Sequence, residues 1–167
     1  MSENQRLFIA AFPPPALRRA LHRLAREQHG ELGGRCMPAA NLHLTLTFLG
    51  DTPVKTVPVI LELLETLPLP ACTLSLDTLG AFHGGIIWAG CKTVPPTLTD
   101  WIAELRAGLA QREIAFDDKA FRAHVTLLRK AQPAAATIKP ALEWQIDRAW
   151  LYASRATGHG PAYEYIT

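Results

Sequence analysis

The run Leu42 to Phe48 constrains this chain more than any other stretch. Leu42, Leu44, Leu46 and Phe48 alternate with His43, Thr45 and Thr47, so an extended strand carries one apolar face and one polar face. A helix would scatter the same residues around its axis. The apolar face must lie on a core, and His43 and Thr45 then project together on the other side. The pattern returns 81 residues later, where His124-Val125-Thr126-Leu127 echoes His43-Leu44-Thr45-Leu46. Each copy follows a helix-bearing segment of similar size. The echo predicts two related lobes within one domain spanning residues 1–167.

The chain has the material for such a domain. Hydrophobic residues make up 49% of it and charged residues 19%, which excludes disorder. A net charge of +2 excludes a polycation that holds nucleic acid by bulk charge alone. It leaves room for a local basic groove, since 12 of the 17 basic residues are arginine. Apolar runs such as Leu7 to Phe12 fall far short of the ~20 residues that span a bilayer. The opening Met1-Ser2-Glu3-Asn4-Gln5-Arg6 lacks the pattern of a secretory leader, so the expected location is the cytoplasm. Cys36, Cys72 and Cys91 form no CxxC and are odd in number, as expected of free thiols in a reduced compartment.

Leu7 to Phe12 reads as a buried strand, and Pro13-Pro14-Pro15 as the entry to a helix over Leu17 to Gln28 that Gly30, Gly33 and Gly34 end. Gly50-Asp51 closes the alternating strand. A second helix puts Val57, Ile60, Leu61 and Leu64 inward, with Pro58 in its first turn. Cys72 to Asp77 and Ile86 to Cys91 read as strands, with Phe82-His83-Gly84-Gly85 as a turn between them. Thr97 to Arg112 is the clearest helix; Leu98, Trp101, Ile102, Leu105 and Leu109 form its stripe, and Thr97 with Asp100 resembles a capping pair. Ala123 to Arg129, Ile146 to Ser154 and Ala162 to Ile166 read as strands, and Pro133 to Pro140 as a loop or weak helix.

If the lobes face each other, two imidazoles and two hydroxyls line one cleft. A neutral imidazole takes a proton from water and a protonated one gives a proton to a leaving oxygen; a pKa near ~6.5 suits both jobs. Threonine hydroxyls can donate to the non-bridging oxygens of a phosphate. Phosphoryl transfer asks mainly for positioning and charge stabilisation, which such a pair supplies. The spacing does not decide which histidine is the acid. The rival use is a metal held by His43, His124 and Asp77, but no short-spaced ligand pair calls for one.

These residues resemble the two-histidine phosphoesterase superfamily and, within it, the bacterial RNA 2′,3′-cyclic phosphodiesterases (LigT-like, also called 2′-5′ RNA ligases). Arg6-Leu7-Phe8-Ile9-Ala10 resembles that family's opening strand, and Asn41 through Gly50 its first motif. Ile87-Trp88-Ala89-Gly90 is similar to its central strand, Phe121 through Arg129 to its second motif, and Leu151-Tyr152-Ala153-Ser154 to its late strand. The resemblance implies an α+β fold of two pseudo-symmetric lobes, each an antiparallel sheet with outer helices, the sheets framing a central cleft. It implies hydrolysis of RNA 2′,3′-cyclic phosphate ends to 2′-phosphomonoesters with no metal or other cofactor; RNA termini or small cyclic nucleotides are the expected substrates, and a monomer is the default state because no exposed apolar patch can be inferred. His43 would protonate the departing O3′ and His124 would activate the water. Thr45, Thr126 and Arg129 would hold phosphate oxygens. Run in reverse, the reaction would join RNA ends through a 2′-5′ bond, and an RNA-end binding protein with residual catalysis is the remaining alternative. One departure is Ala123, where many relatives have Pro.

Other residues carry blander expectations. Strict alternation turns Arg129 away from His124, so a bend or bulge is needed to bring it in. Thr47 is expected to face solvent and Phe48 the core. Arg18, Arg19, Arg23 and Arg26 form a basic helix face, for which solvation is the default and RNA contact the minority reading. His22, His29, His83 and His159 read as surface or turn residues, and Trp101 as core.

Overall fold

In the computed structural model, residues 3–167 are described; Met1 and Ser2, the head of the leader reading, lie outside the described residues. Strand β1 (Asn4–Ala11) buries Leu7 through Ala11. Helix α1 (Pro15–Leu32) starts on Pro15 at its first position and stops at Gly33, whose φ of 68° lies in the left-handed region open to glycine. Short β2 (Arg35–Cys36) and a 3-10 turn (Ala39–Asn41) lead to β3 (Leu44–Pro53) and α2 (Val57–Thr66). The hairpin β4 (Cys72–Phe82) and β5 (Ile86–Gly90) precedes α3 (Pro96–Gln111). Strands β6 (His124–Arg129), β7 (Ala136–Ile146), β8 (Trp150–Thr157) and β9 (Gly160–Tyr165) complete the chain.

The strands form two sheets, ordered β3-β1-β8-β9 and β2-β6-β5-β4-β7. Every pairing within them is antiparallel. Helix α1 packs on β6 and β2 through Leu17, Leu21 and Ala25. Helices α2 and α3 pack on each other, α2 against β8 and α3 against β3. The stripe on α3 is buried as the periodicity requires, and the Trp101 indole N–H donates to the Leu67 carbonyl at 3.0 Å. Each lobe is thus one antiparallel sheet with helices, the α+β arrangement expected. The lobes are interleaved in sequence: the first sheet takes the chain's first strand and its last two. The motif strands β3 and β6 come from different sheets and approach each other.

Both motif strands break their own alternation at the same place. Ile9 pairs with Thr47 and Ala10 with Thr45, leaving Leu46 without a partner. Trp88 pairs with Thr126 and Ile87 with Leu128, leaving Leu127 without one. An extra residue reverses which face the following side chains take. Leu46 and Thr47 are accordingly both buried, as are Leu127 and Leu128. Thr47 is 2% exposed, contrary to the solvent-facing expectation, and its hydroxyl donates to the Leu46 carbonyl at 2.8 Å. Phe48, expected in the core, shares the side of Thr45 instead. Arg129 gains the bulge that its alternation required.

Three further expectations are corrected. The stretch Pro133 to Pro140 is neither loop nor helix throughout, because β7 begins at Ala136 and pairs along β4. Pro140 is accommodated because β7 is an edge strand and the ladder is irregular between the pairs Leu76–Leu142 and Thr78–Thr137. The single strand expected over Ile146 to Ser154 is two strands in different sheets, separated at Asp147 to Ala149. The Thr97–Asp100 capping pair is absent: Pro95 occupies the N-cap of α3 without a side-chain bond.

The Trp88 indole lies across two glycines. A Cβ on its cross-strand partner Gly80 would stand 2.3 Å from the ring, and one on Gly90 would stand 2.7 Å from it. Gly80→Ala is expected to destabilise the protein by about 1–3 kcal/mol through overpacking, read as a lower urea midpoint at unchanged slope. An unchanged midpoint would show that the indole moves freely.

Candidate active site

The bulges assemble a cavity of about 200 Å3 where the sheets meet. From the first motif it takes His43, Thr45 and Phe48; from the second, His124, Thr126 and Arg129. Each of the five predicted site residues, His43, Thr45, His124, Thr126 and Arg129, therefore lines one space. Phe48 and Arg129 hold the same offset from their histidines, so the echo extends past the four-letter repeat. One lobe offers an aromatic ring there and the other a guanidinium.

The histidines are anchored alike. His43 Nδ1–H donates to the Asn41 carbonyl at 2.7 Å, and His124 Nδ1–H donates to the Arg122 carbonyl at 2.7 Å. A carbonyl only accepts, so each bond fixes the proton on Nδ1 and leaves Nε2 as the nitrogen that exchanges a proton. His43 Nε2 lies 3.0 Å from the Thr45 hydroxyl, which donates to it when the ring is neutral. The Asn41 side chain in turn donates to the Pro161 carbonyl at 3.0 Å, tying the turn before His43 to β9.

Aromatic rings pack round both imidazoles. Phe12 stacks on His43 with centroids 5.2 Å apart, Phe8 lies 5.2 Å away, and Tyr163 meets it edge-on at 4.9 Å. Phe82 meets His124 edge-on at 4.9 Å, and Trp88 stands 6.5 Å away. Burial among these rings holds both imidazoles below their ordinary pKa, against the opposing pull of their carbonyl bonds. The charges of His124 and Arg129 lower His43 further, and that of Arg122 lowers His124. Burial pushes the Tyr163 phenol up, so at the cavity wall it stays a hydroxyl. Cys91, near Trp88 and His124, is pushed by burial up to about 12 and stays a thiol.

Met37, Asn41, Phe48 and Tyr163 also line the cavity and are not among the site residues that the sequence predicts. The short strand expected over Ala162 to Ile166 is the only sequence signal near Tyr163, and none announces the bulge that turns Phe48. The rival metal set does not assemble: among the described residues no group of three or more His, Cys, Asp or Glu could hold an ion. The Asp77 carboxylate instead accepts from the Thr78 hydroxyl and the Lys92 amide. His83 lies exposed in the β4–β5 turn, as expected. Arg19, Arg23 and Arg26 face solvent on α1 with Glu27, and share no lining residue with the histidine cavity. The three cysteines are free.

Two antiparallel sheets that meet over a paired His-x-Thr cleft make the architecture of a two-histidine phosphoesterase. The family model described as LigT like Phosphoesterase matches residues 12–88 and 90–163. The RNA 2′,3′-cyclic phosphodiesterase of Escherichia coli is 32% identical over 92% of this chain and 89% of its own length. That of Thermus thermophilus is 29% identical over 96% of this chain and 87% of its own. The crystal structure of E. coli LigT complexed with 3′-AMP superposes with a TM-score of 0.87 at 28% identity, covering 99% of this chain and 97% of that one. The same protein complexed with phosphate gives 0.80 at 31% identity, over 99% and 96% of the two chains. The chain belongs to the LigT-like phosphoesterase family.

Lowered imidazole pKa values couple stability to pH. Both folded values lie below the ordinary 6.5, so the unfolded chain binds more protons as pH falls. The stability that the neutral rings supply is whole above about pH 6.5 and is lost as pH drops through the folded values. Unfolding free energy from urea titration should fall between about pH 7.5 and pH 5, and fall less in a His43→Gln/His124→Gln protein. Equal losses in the two proteins would show that these rings do not sense the fold.

Proposed function

We propose that this protein hydrolyses RNA ends that carry a 2′,3′-cyclic phosphate, giving a 2′-phosphomonoester without a metal cofactor. The observation that carries the reading is the matched pair of imidazoles, each with Nδ1 tied to a carbonyl and Nε2 left to exchange a proton, in one cavity that also holds two hydroxyls and a guanidinium. The activity for which the E. coli and T. thermophilus relatives are named supports it.

In the proposed step His124 Nε2 takes a proton from water as the water oxygen bonds to phosphorus. The P–O3′ bond breaks, and His43 Nε2–H gives its proton to O3′. The O2′ bond survives, so the product is the 2′-phosphate. The Thr45 and Thr126 hydroxyls donate to non-bridging oxygens, and the Arg129 guanidinium offsets their charge. The pair ends the turnover with its protons exchanged, and solvent restores them. Residues 1–167 act as one domain, as a monomer.

The working state needs one neutral and one protonated ring. With both pKa values lowered, the kcat/KM profile should be a bell centred on the acid side of about pH 6.5. Arg129→Gln should move the limb set by His43 to higher pH and leave the His124 limb in place, because of the two histidines Arg129 bears only on His43. His43→Ala and His124→Ala should each cost about 100- to 10,000-fold in turnover of an oligoribonucleotide 2′,3′-cyclic phosphate assayed in excess EDTA. Tight binding without turnover would replace this reading with an end-binding role, and activity rescued only by added metal would replace it with a metallohydrolase.

A further inference from the structure

Beside the histidine cavity lies a second hollow of about 340 Å3, and Thr45, Phe48 and His124 line both. That volume is in the range of small-molecule sites, about 300–1,000 Å3. Three rings, Phe48, Phe82 and Phe121, and three cations, Arg106, Lys119 and Arg122, line it. Its outer wall is the segment between α3 and β6, which is firmly held. The Asp117 amide donates to the Phe48 carbonyl at 2.8 Å, and Arg106 Nη1 donates to the Lys119 carbonyl at 2.9 Å. Asp117 brings one carboxylate to the hollow, and that carboxylate accepts from the Lys119 amide at 3.0 Å.

The cations are placed for an anion. Arg122 lies over the Phe82 ring at 5.0 Å and Arg106 over Phe116 at 5.7 Å, so both guanidiniums are positioned by aromatic faces. Arg106 Nε is buried and has no hydrogen-bond partner among the described residues. A buried guanidinium N–H is costly to leave unpaired, so Arg106 is held under strain at the wall of the hollow rather than solvated. A hollow with excess positive charge and three phenylalanine rings matches a nucleotide's phosphate and base.

We propose that this hollow is the subsite for the nucleotide on the 5′ side of the reacting terminus, its phosphodiester on Arg106, Lys119 and Arg122 and its base against the phenylalanine faces. The inference rests on the proposed hydrolysis and deepens it, because it says where the strand 5′ to the reacting nucleotide is held. On this assignment a cyclic mononucleotide leaves these cations unpaired.

The test compares a dinucleoside monophosphate ending in a 2′,3′-cyclic phosphate with the matching cyclic mononucleotide. One charge-assisted hydrogen bond is worth roughly a tenfold factor, so the wild-type protein should favour the dinucleotide about tenfold or more in kcat/KM, chiefly through KM. Arg106→Gln should bring that ratio towards one. Lys119→Gln, at an exposed position and so safe for folding, should lower it in part. The dinucleotide advantage should also shrink as salt rises. A wild-type ratio near one overturns the subsite and leaves the hydrolase reading standing. A ratio that Arg106→Gln leaves intact, because both substrates slow equally, assigns the hollow to the terminal nucleotide and also overturns it. Hydrolysis of neither substrate overturns the hydrolase reading, and the subsite with it.

Discussion

An unpaired residue three positions after each site histidine holds the site together. A regular β3 would send Phe48 to the side opposite His43, and a regular β6 would do the same with Arg129. Leu46 and Leu127 stand outside the ladders, and each reverses the faces beyond it. The reversal brings residues from both ends of each motif to one cavity while Leu44, Val125 and their neighbours stay buried beneath. A bulge also increases local twist. It stands at the same offset from His43 as from His124, so the two lobes share a backbone device as well as a four-residue echo.

The repetition reaches into the chemistry. Each imidazole is oriented by the carbonyl two residues before it and is packed by aromatic rings that keep water away. The same burial lowers its pKa by disfavouring the charged ring. Symmetry alone would make the two histidines interchangeable. The surroundings break it: His43 carries the Thr45 contact, the Tyr163 edge and the field of Arg129, whereas His124 has Phe82, Trp88 and the charge of Arg122. The departures from symmetry give the two rings different environments, as the proposed acid and base require.

Much of this was legible because strand and helix periods are local. Alternation at Leu42 to Phe48 exposed the first motif, the echo at His124 the second, and the stripe from Leu98 to Leu109 located α3. Apart from the cap of α3, the misreadings share one cause. The face of Thr47, the edge strand through Pro140 and the split at Asp147 were each decided by which neighbour a segment pairs with. Propensity carries little of that information, since pairing partners come from distant parts of the chain.

The sequence by itself determined the chemistry at hand: two imidazoles, each with a hydroxyl two residues on, on strands with one apolar face. Periodicity dictates this, because i and i+2 share a face in any strand. Only the tertiary structure decided that the two strands belong to different sheets and meet, that Phe48 and Arg129 turn into the cavity, and that Tyr163 closes its wall. Those outcomes depend on long-range register and on the unpaired residues at Leu46 and Leu127, which exist only once β1 and β5 have paired beside the motif strands.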